Sequence, residues 1–139
     1  MTEHIDITEE NITSTTKLNV LPKDSIKAFY EKVVNEDTCR RWLLELLRPD
    51  GTTCPKCKNK IADETTVKNF WSGRRCTCKH CGKKFYATHG SILAHSSFSM
   101  RQIAFMIILI ALDISNKQIA DIIGIHPDSV RLWRMKING

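Results

Sequence analysis

Two Cys-x-x-Cys pairs limit what this chain can become: Cys54-Pro-Lys-Cys57 and Cys78-Lys-His-Cys81, separated by 20 residues. Two residues between thiols let one tight turn aim both sulfurs at a common point, with the backbone amides of the turn facing them. Two such knuckles joined by a short sheet supply the four tetrahedral sulfur ligands that zinc prefers, at ~2.3 Å. The expected ligands are Cys54, Cys57, Cys78 and Cys81, holding one Zn2+. Four thiolates leave no open coordination position, so the ion is expected to be structural, not catalytic. Disulfides or an iron–sulfur cluster are the competing uses of such thiols, and Cys76 is an alternative to Cys78 as ligand. Cys76 lies two residues before Cys78 and is expected to point away from the ion. Cys39 sits on the apolar face of a helix and reads as a small buried residue. His80, His89 and His95 read as surface or backbone-contacting residues.

Six cysteines need such an explanation only where thiols stay reduced, and the rest of the chain points there. The longest apolar run, Ile103 to Leu112, is too short for the ~20 residues of a membrane span. Met1 to Glu10 carries acids and no apolar stretch, unlike a signal peptide. A cytoplasmic, nucleoid-associated protein without membrane contact is therefore expected. Its 139 residues suit one small domain or two sharing a core, and exclude a barrel-sized catalytic scaffold. Charge is unevenly placed: residues 1–38 are net −4, with 8 acidic and 4 basic side chains, and residues 39–139 are net +10. A body this basic suggests a polyanionic partner, double-stranded DNA first.

The pattern predicts a small α+β protein. Residues 1–20 read as a flexible tail, and residues 21–51 as an N-terminal helical pair, Asp24–Val34 and Asp37–Leu47, packed on each other. Residues 52–92 read as a four-cysteine ribbon with a short antiparallel sheet. Its expected strands are Val67–Trp71 and Arg74–Cys78, joined by Ser72-Gly73, with Lys84–Thr88 as a third. Phe70, Trp71, Phe85 and Tyr86 are assigned to its core. Residues 93–139 begin with an apolar helix, Phe98–Leu112, capped by Ser97 or Ser99.

The last stretch, Asn116 to Met135, follows a helix-turn-helix pattern. Ser115 and Gln118 form a capping box, Ala120 is small where two helices would cross, and Gly124 gives the turn. Ile125 plugs that turn, and Pro127 opens the second helix where its missing amide costs nothing. Ile119, Ile123, Val130 and Trp133 form the inward set. The outward set is His126, Asp128, Ser129, Arg131, Leu132 and Arg134, and in this motif the second helix reads base edges in the major groove. Arg131 suits a bidentate pair with guanine, whereas Arg134, Lys136 and Lys117 suit phosphate. Auxiliary phosphate contacts are assigned to Lys56, Lys58, Arg74, Arg75, Lys79, Lys83 and Lys84, since residues 54–85 are net +7.

The combination of Cys39-Arg-Arg-Trp-Leu, Arg48-Pro-Asp-Gly-Thr-Thr-Cys-Pro-Lys-Cys57, Arg75-Cys-Thr-Cys-Lys-His-Cys-Gly-Lys-Lys-Phe85 and Thr88-His-Gly-Ser-Ile92 resembles the N-terminal region of bacterial insertion-sequence transposases. The resemblance covers roughly residues 28–137 and implies a zinc ribbon, a helix and a helix-turn-helix that recognises terminal inverted repeats. Ser91 and Leu93 depart from the usual Thr and Phe, and Ile103 from a common Trp. Members of that family continue into an RNase-H-like domain with a two-metal acidic site. Here only Asp113, Asp121 and Asp128 follow the ribbon, so no catalytic residues and no nuclease activity are expected.

The leading expectation is a sequence-specific DNA-binding protein of transposase descent, acting as a transcriptional regulator or transposition repressor. A second reading is the end-recognition module of a split or truncated transposase. A third is a zinc-ribbon adaptor to a protein such as RNA polymerase or a phage factor. A homodimer, or a transposase or transcription-machinery partner, fits these readings, and the sequence does not choose among them.

Overall fold

The computed structural model describes residues 22–139, so the expected tail over residues 1–20 lies outside the described residues. The described chain is a small α+β structure. Its elements are α1 (Pro22–Val33), α2 (Glu36–Leu47), α3 (Glu64–Trp71), β1 (Cys76–Thr77), β2 (Lys84–Phe85), α4 (Met100–Ala111), α5 (Asn116–Ile123) and α6 (Pro127–Asn138). No described helix is long and apolar enough to cross a membrane.

Local chemistry sets most helix starts. Asn35, Asp63, Ser99 and Ser115 each accept a backbone N–H from three residues on, at Thr38, Thr66, Gln102 and Gln118. These bonds satisfy amides that the first turn of a helix leaves without a partner. Of the two expected caps for the apolar helix, Ser99 is the one used, and Gln102 completes a reciprocal capping box.

Two hydrophobic cores lie on either side of α2. The larger gathers Tyr30, Cys39, Leu43 and Leu93 with Ile103, Met106, Leu109, Ile119, Ile123, Val130 and Trp133. The smaller gathers Leu44, Cys54, Phe70, Cys76, Cys78, Phe85 and Ala87. Neighbouring residues Leu43 and Leu44 therefore face different cores, and Leu47 packs against both.

Three expectations are corrected. Residues 67–71 are not a strand but part of helix α3, started by Asp63 and burying Thr66 and Phe70 four residues apart on one side. The sheet has two strands of two residues each, antiparallel, with Cys76 opposite Phe85 and Thr77 opposite Lys84, and residues 86–88 add no third strand. The N-terminal helices do not pair chiefly with each other: α2 packs on α4, and α1 on α5. The cause is a polar joint. The Glu36 carboxylate accepts the N–H groups of Met100 (3.1 Å) and Arg101 (2.9 Å) at the start of α4. The Arg101 guanidinium in turn donates to the carbonyls of Val34 (2.6 Å) and Tyr30 (2.7 Å) at the end of α1 and lies over the Tyr30 ring. Three helix ends are fastened there, each by the charge that its dipole favours.

Candidate functional site

The two Cys-x-x-Cys turns are built on one hydrogen-bond plan. In the first, Cys54 N–H donates to Asn59 O (3.1 Å) and Lys58 N–H donates to Cys54 O (3.0 Å). In the second, Cys78 N–H donates to Lys83 O (2.8 Å) and Gly82 N–H donates to Cys78 O (2.8 Å). Lys58 and Gly82 occupy the same place in their turns and share a left-handed backbone, with φ of 64° and 76°. Glycine takes that conformation without cost, whereas a lysine does not. A bridge between Thr53 and Lys60 closes the first turn, and the β1–β2 pair closes the second.

The turns face each other. Cys54 Sγ lies 3.6 Å from Cys81 Sγ, and Cys57 Sγ lies 3.6 Å from Cys78 Sγ, with all four sulfurs within 4.8 Å of one another. No pair is near the ~2.05 Å of a disulfide, and all the cysteines are free thiols. A tetrahedral ion with ~2.3 Å metal–sulfur bonds spaces its sulfurs by about 3.8 Å, so the four thiols fit one metal ion. Burial resists ionisation of Cys54, but the amides of Cys57 and Lys56 and the neighbouring thiols outweigh it and hold the group down to about 6. The Cys81 and His80 amides likewise lower Cys78. At Cys81 the Lys83 amide favours the thiolate, but burial and the surrounding sulfurs together push the group up to about 11. The backbone thus favours thiolates that cannot all coexist until a cation joins them.

The remaining thiols are turned elsewhere. Cys76 is buried on the opposite side of β1, its S–H directed at the Thr66 and Arg74 carbonyls, and burial pushes it up. Cys39 is buried in the helical core, and burial and the Glu36 carboxylate raise it too. His80, His89 and His95 are exposed and lie outside the sulfur cluster.

Of the cations assigned around the cysteines, Lys56, Lys58, Arg74, Arg75, Lys79 and Lys84 are exposed, and Lys83 is half-buried. Lys79 pairs with Asp63 at 3.2 Å. Phe70 and Phe85 enter the smaller core as expected, and Trp71 is half-buried beneath the Arg41 guanidinium. Tyr86 is the exception: it is half exposed, so its placement in the core is corrected. The cause is strand alternation, since Phe85 beside it takes the inward position.

At the C-terminal end, the expected inward residues Ile119, Ile123, Val130 and Trp133 are all buried. Gly124 ends α5 in the left-handed conformation, and its N–H and that of Ile125 both reach Ala120 O. His126 caps α6, its Nδ1 accepting the Asp128 N–H at 3.1 Å. Asp128, Arg131 and Leu132 stand exposed on one side of α6, with Ser129 half-buried beside them, and Asp128 lies 3.9 Å from Arg131 Nε. Lys117 is exposed on the first turn of α5, and Lys136 is exposed with its ammonium over the Trp133 ring. Arg134 differs from its neighbours: it donates to Asn116 Oδ1 (3.0 Å) and Ile114 O (2.5 Å), clasping α6 to the start of α5. That clasp, the Glu36–Arg101 joint and the Asn59 amide directed at Cys57 Sγ carried no sequence signal, because each depends on residues placed by the fold. Comparison with known protein families, curated proteins and solved structures gives no match to this chain.

Proposed function

We propose that this chain is a sequence-specific DNA-binding protein in which α5, the Gly124 turn and α6 act as a helix-turn-helix, with α6 entering the major groove. The observation that carries the reading is the division of α6. Val130 and Trp133 are buried, while Asp128, Arg131 and Leu132 stand free on the opposite side, near the N-terminal half that reads bases in such motifs. Arg131 is the residue for guanine, with Asp128 close enough to orient its guanidinium. Lys117 and Lys136 serve phosphates. Arg134 sets the angle of α6 through its clasp.

The four cysteines would hold a single Zn2+ as a closed, structural site, because thiolate donors in a tetrahedron suit zinc and leave no position for substrate. The exposed lysines and arginines around it add phosphate contacts. The basic excess and the motifs quoted above support descent from a transposase DNA-binding region and a role as regulator or repressor that acts by occupying DNA.

One observation favours a protein partner instead. Leu132 and Met135 are exposed apolar residues on α6 itself. Selection from a random DNA pool, followed by binding at increasing salt, separates the two. A recurring site whose affinity falls with a log–log slope near −0.9 per phosphate contact supports DNA binding. A flat salt response with no preferred sequence overturns it.

A further inference from the structure

Tyr86 stands half exposed beside a cleft of about 430 Å³ between the first cysteine turn and residues 86–90. Its ring shares the lining with Asp50, Thr53, Lys58 and His89. The far wall is held in shape: Arg48 donates to Ala87 O (2.9 Å) and His89 O (2.6 Å), and His89 N–H donates to Tyr86 O (3.0 Å). A cleft this size falls within the ~300–1,000 Å³ of small-ligand sites.

We propose that this cleft takes one unpaired nucleobase, stacked on the Tyr86 ring, with the adjoining phosphate at Lys58. The inference rests on the nucleic-acid reading above and extends it to a second kind of contact. A base inside a duplex has both faces covered by its neighbours, so an aromatic face set in a concavity is open only to a base that has left the stack. The surrounding charge suits the same ligand, since residues 54–85 are net +7. Asp50 places a carboxylate acceptor in the cleft, which favours bases that carry an exocyclic amine.

The test compares three probes with the zinc-loaded full chain: a paired duplex, the same duplex with a short single-stranded extension bearing 2-aminopurine, and free 2-aminopurine nucleotide. The extended duplex is expected to bind about fivefold or more tighter than the paired one, the lower end of one base–aromatic stack, with fluorescence quenched. Tyr86→Ala removes the preference and the quenching and leaves paired-duplex affinity unchanged, and Tyr86→Phe keeps both. Metal content and circular dichroism confirm that both variants fold. Quenching of the free nucleotide that also depends on Tyr86 supports the base site and shows that it accepts a detached ligand. Equal binding of both duplexes without quenching, or an unchanged preference in Tyr86→Ala, overturns the inference while the helix-turn-helix reading stands. Binding of neither duplex at low salt removes both.

Discussion

Lys58 and Gly82 offer an internal comparison, since the same turn is made once with a side chain and once without. A lysine in that conformation is strained by roughly 1–2 kcal/mol, partly offset in glycine by greater freedom of the unfolded chain. Lys58→Gly should therefore stabilise the metal-bound protein by about 0.5–1 kcal/mol in urea unfolding, and Gly82→Ala should destabilise it by about 1 kcal/mol. A destabilising Lys58→Gly would refute the strain. Asp63 gives the pH dependence. The Thr66 hydroxyl first, then the Thr66 amide and Lys79, hold its carboxyl down to about 2 from an ordinary 3.8. Because the folded value is the lower one, its contribution is present above about pH 4 and is lost as pH falls toward 2. The gap in urea midpoint between the native chain and Asp63→Asn should stay constant from pH 7 to about 4 and close below that; a gap already closing at pH 6 would contradict the assignment. At this scale the four cysteine positions were legible because their spacing is a local property. Arg134 was not, because whether an arginine faces solvent or a carbonyl 20 residues away depends on the packed helices.

Among the elements, α3 shows where period and composition conflict. Val67, Phe70 and Trp71 have strand-forming side chains, yet Asp63 with Thr66 is a helix-start signal, and the buried pair Thr66 and Phe70 has helical spacing. The long apolar helix and the two that follow were legible because cap, period and turn glycine agree there. The joint at Glu36 and Arg101 belongs to three elements at once and had no signal in any one of them. Arg101→Ala should cost about 2–3 kcal/mol in equilibrium unfolding, the scale of charged hydrogen bonds to buried carbonyls, and a loss under 0.5 kcal/mol would assign the joint no weight. The cysteine module has a small core of its own, so its order should depend on the ion. Chelation, or Cys57→Ser, is expected to abolish amide protection across residues 52–90 while Ile103, Met106 and Ile119 in the separate helical core stay protected in hydrogen exchange. Uniform loss in both regions would mean that the two cores melt as one.

Over the whole molecule, the basic half reads as a DNA-facing body, and α6 is where sequence discrimination should reside. Arg131→Ala should cost about 1–3 kcal/mol on the preferred site and relax the choice at one base pair, measured by competition binding with single-base variants. Lys117→Ala should weaken all sequences alike and reduce the salt slope by about 0.9. An Arg131→Ala loss equal on every sequence would move base reading to another part of the surface. The division into helical pair, ribbon and C-terminal helices follows the order of the chain, but the larger core mixes α1 and α2 with the last three helices. Sequence order gives no warning of this, because the contacts join residues some 60–70 positions apart. The two-sided burial of α2 has a further consequence. Each residue advances an α-helix by about 100°. One codon gained or lost between Cys39 and Leu47 would rotate Leu43 and Leu44 away from their separate cores together, so descendants of this chain can vary α2 by substitution but not by length.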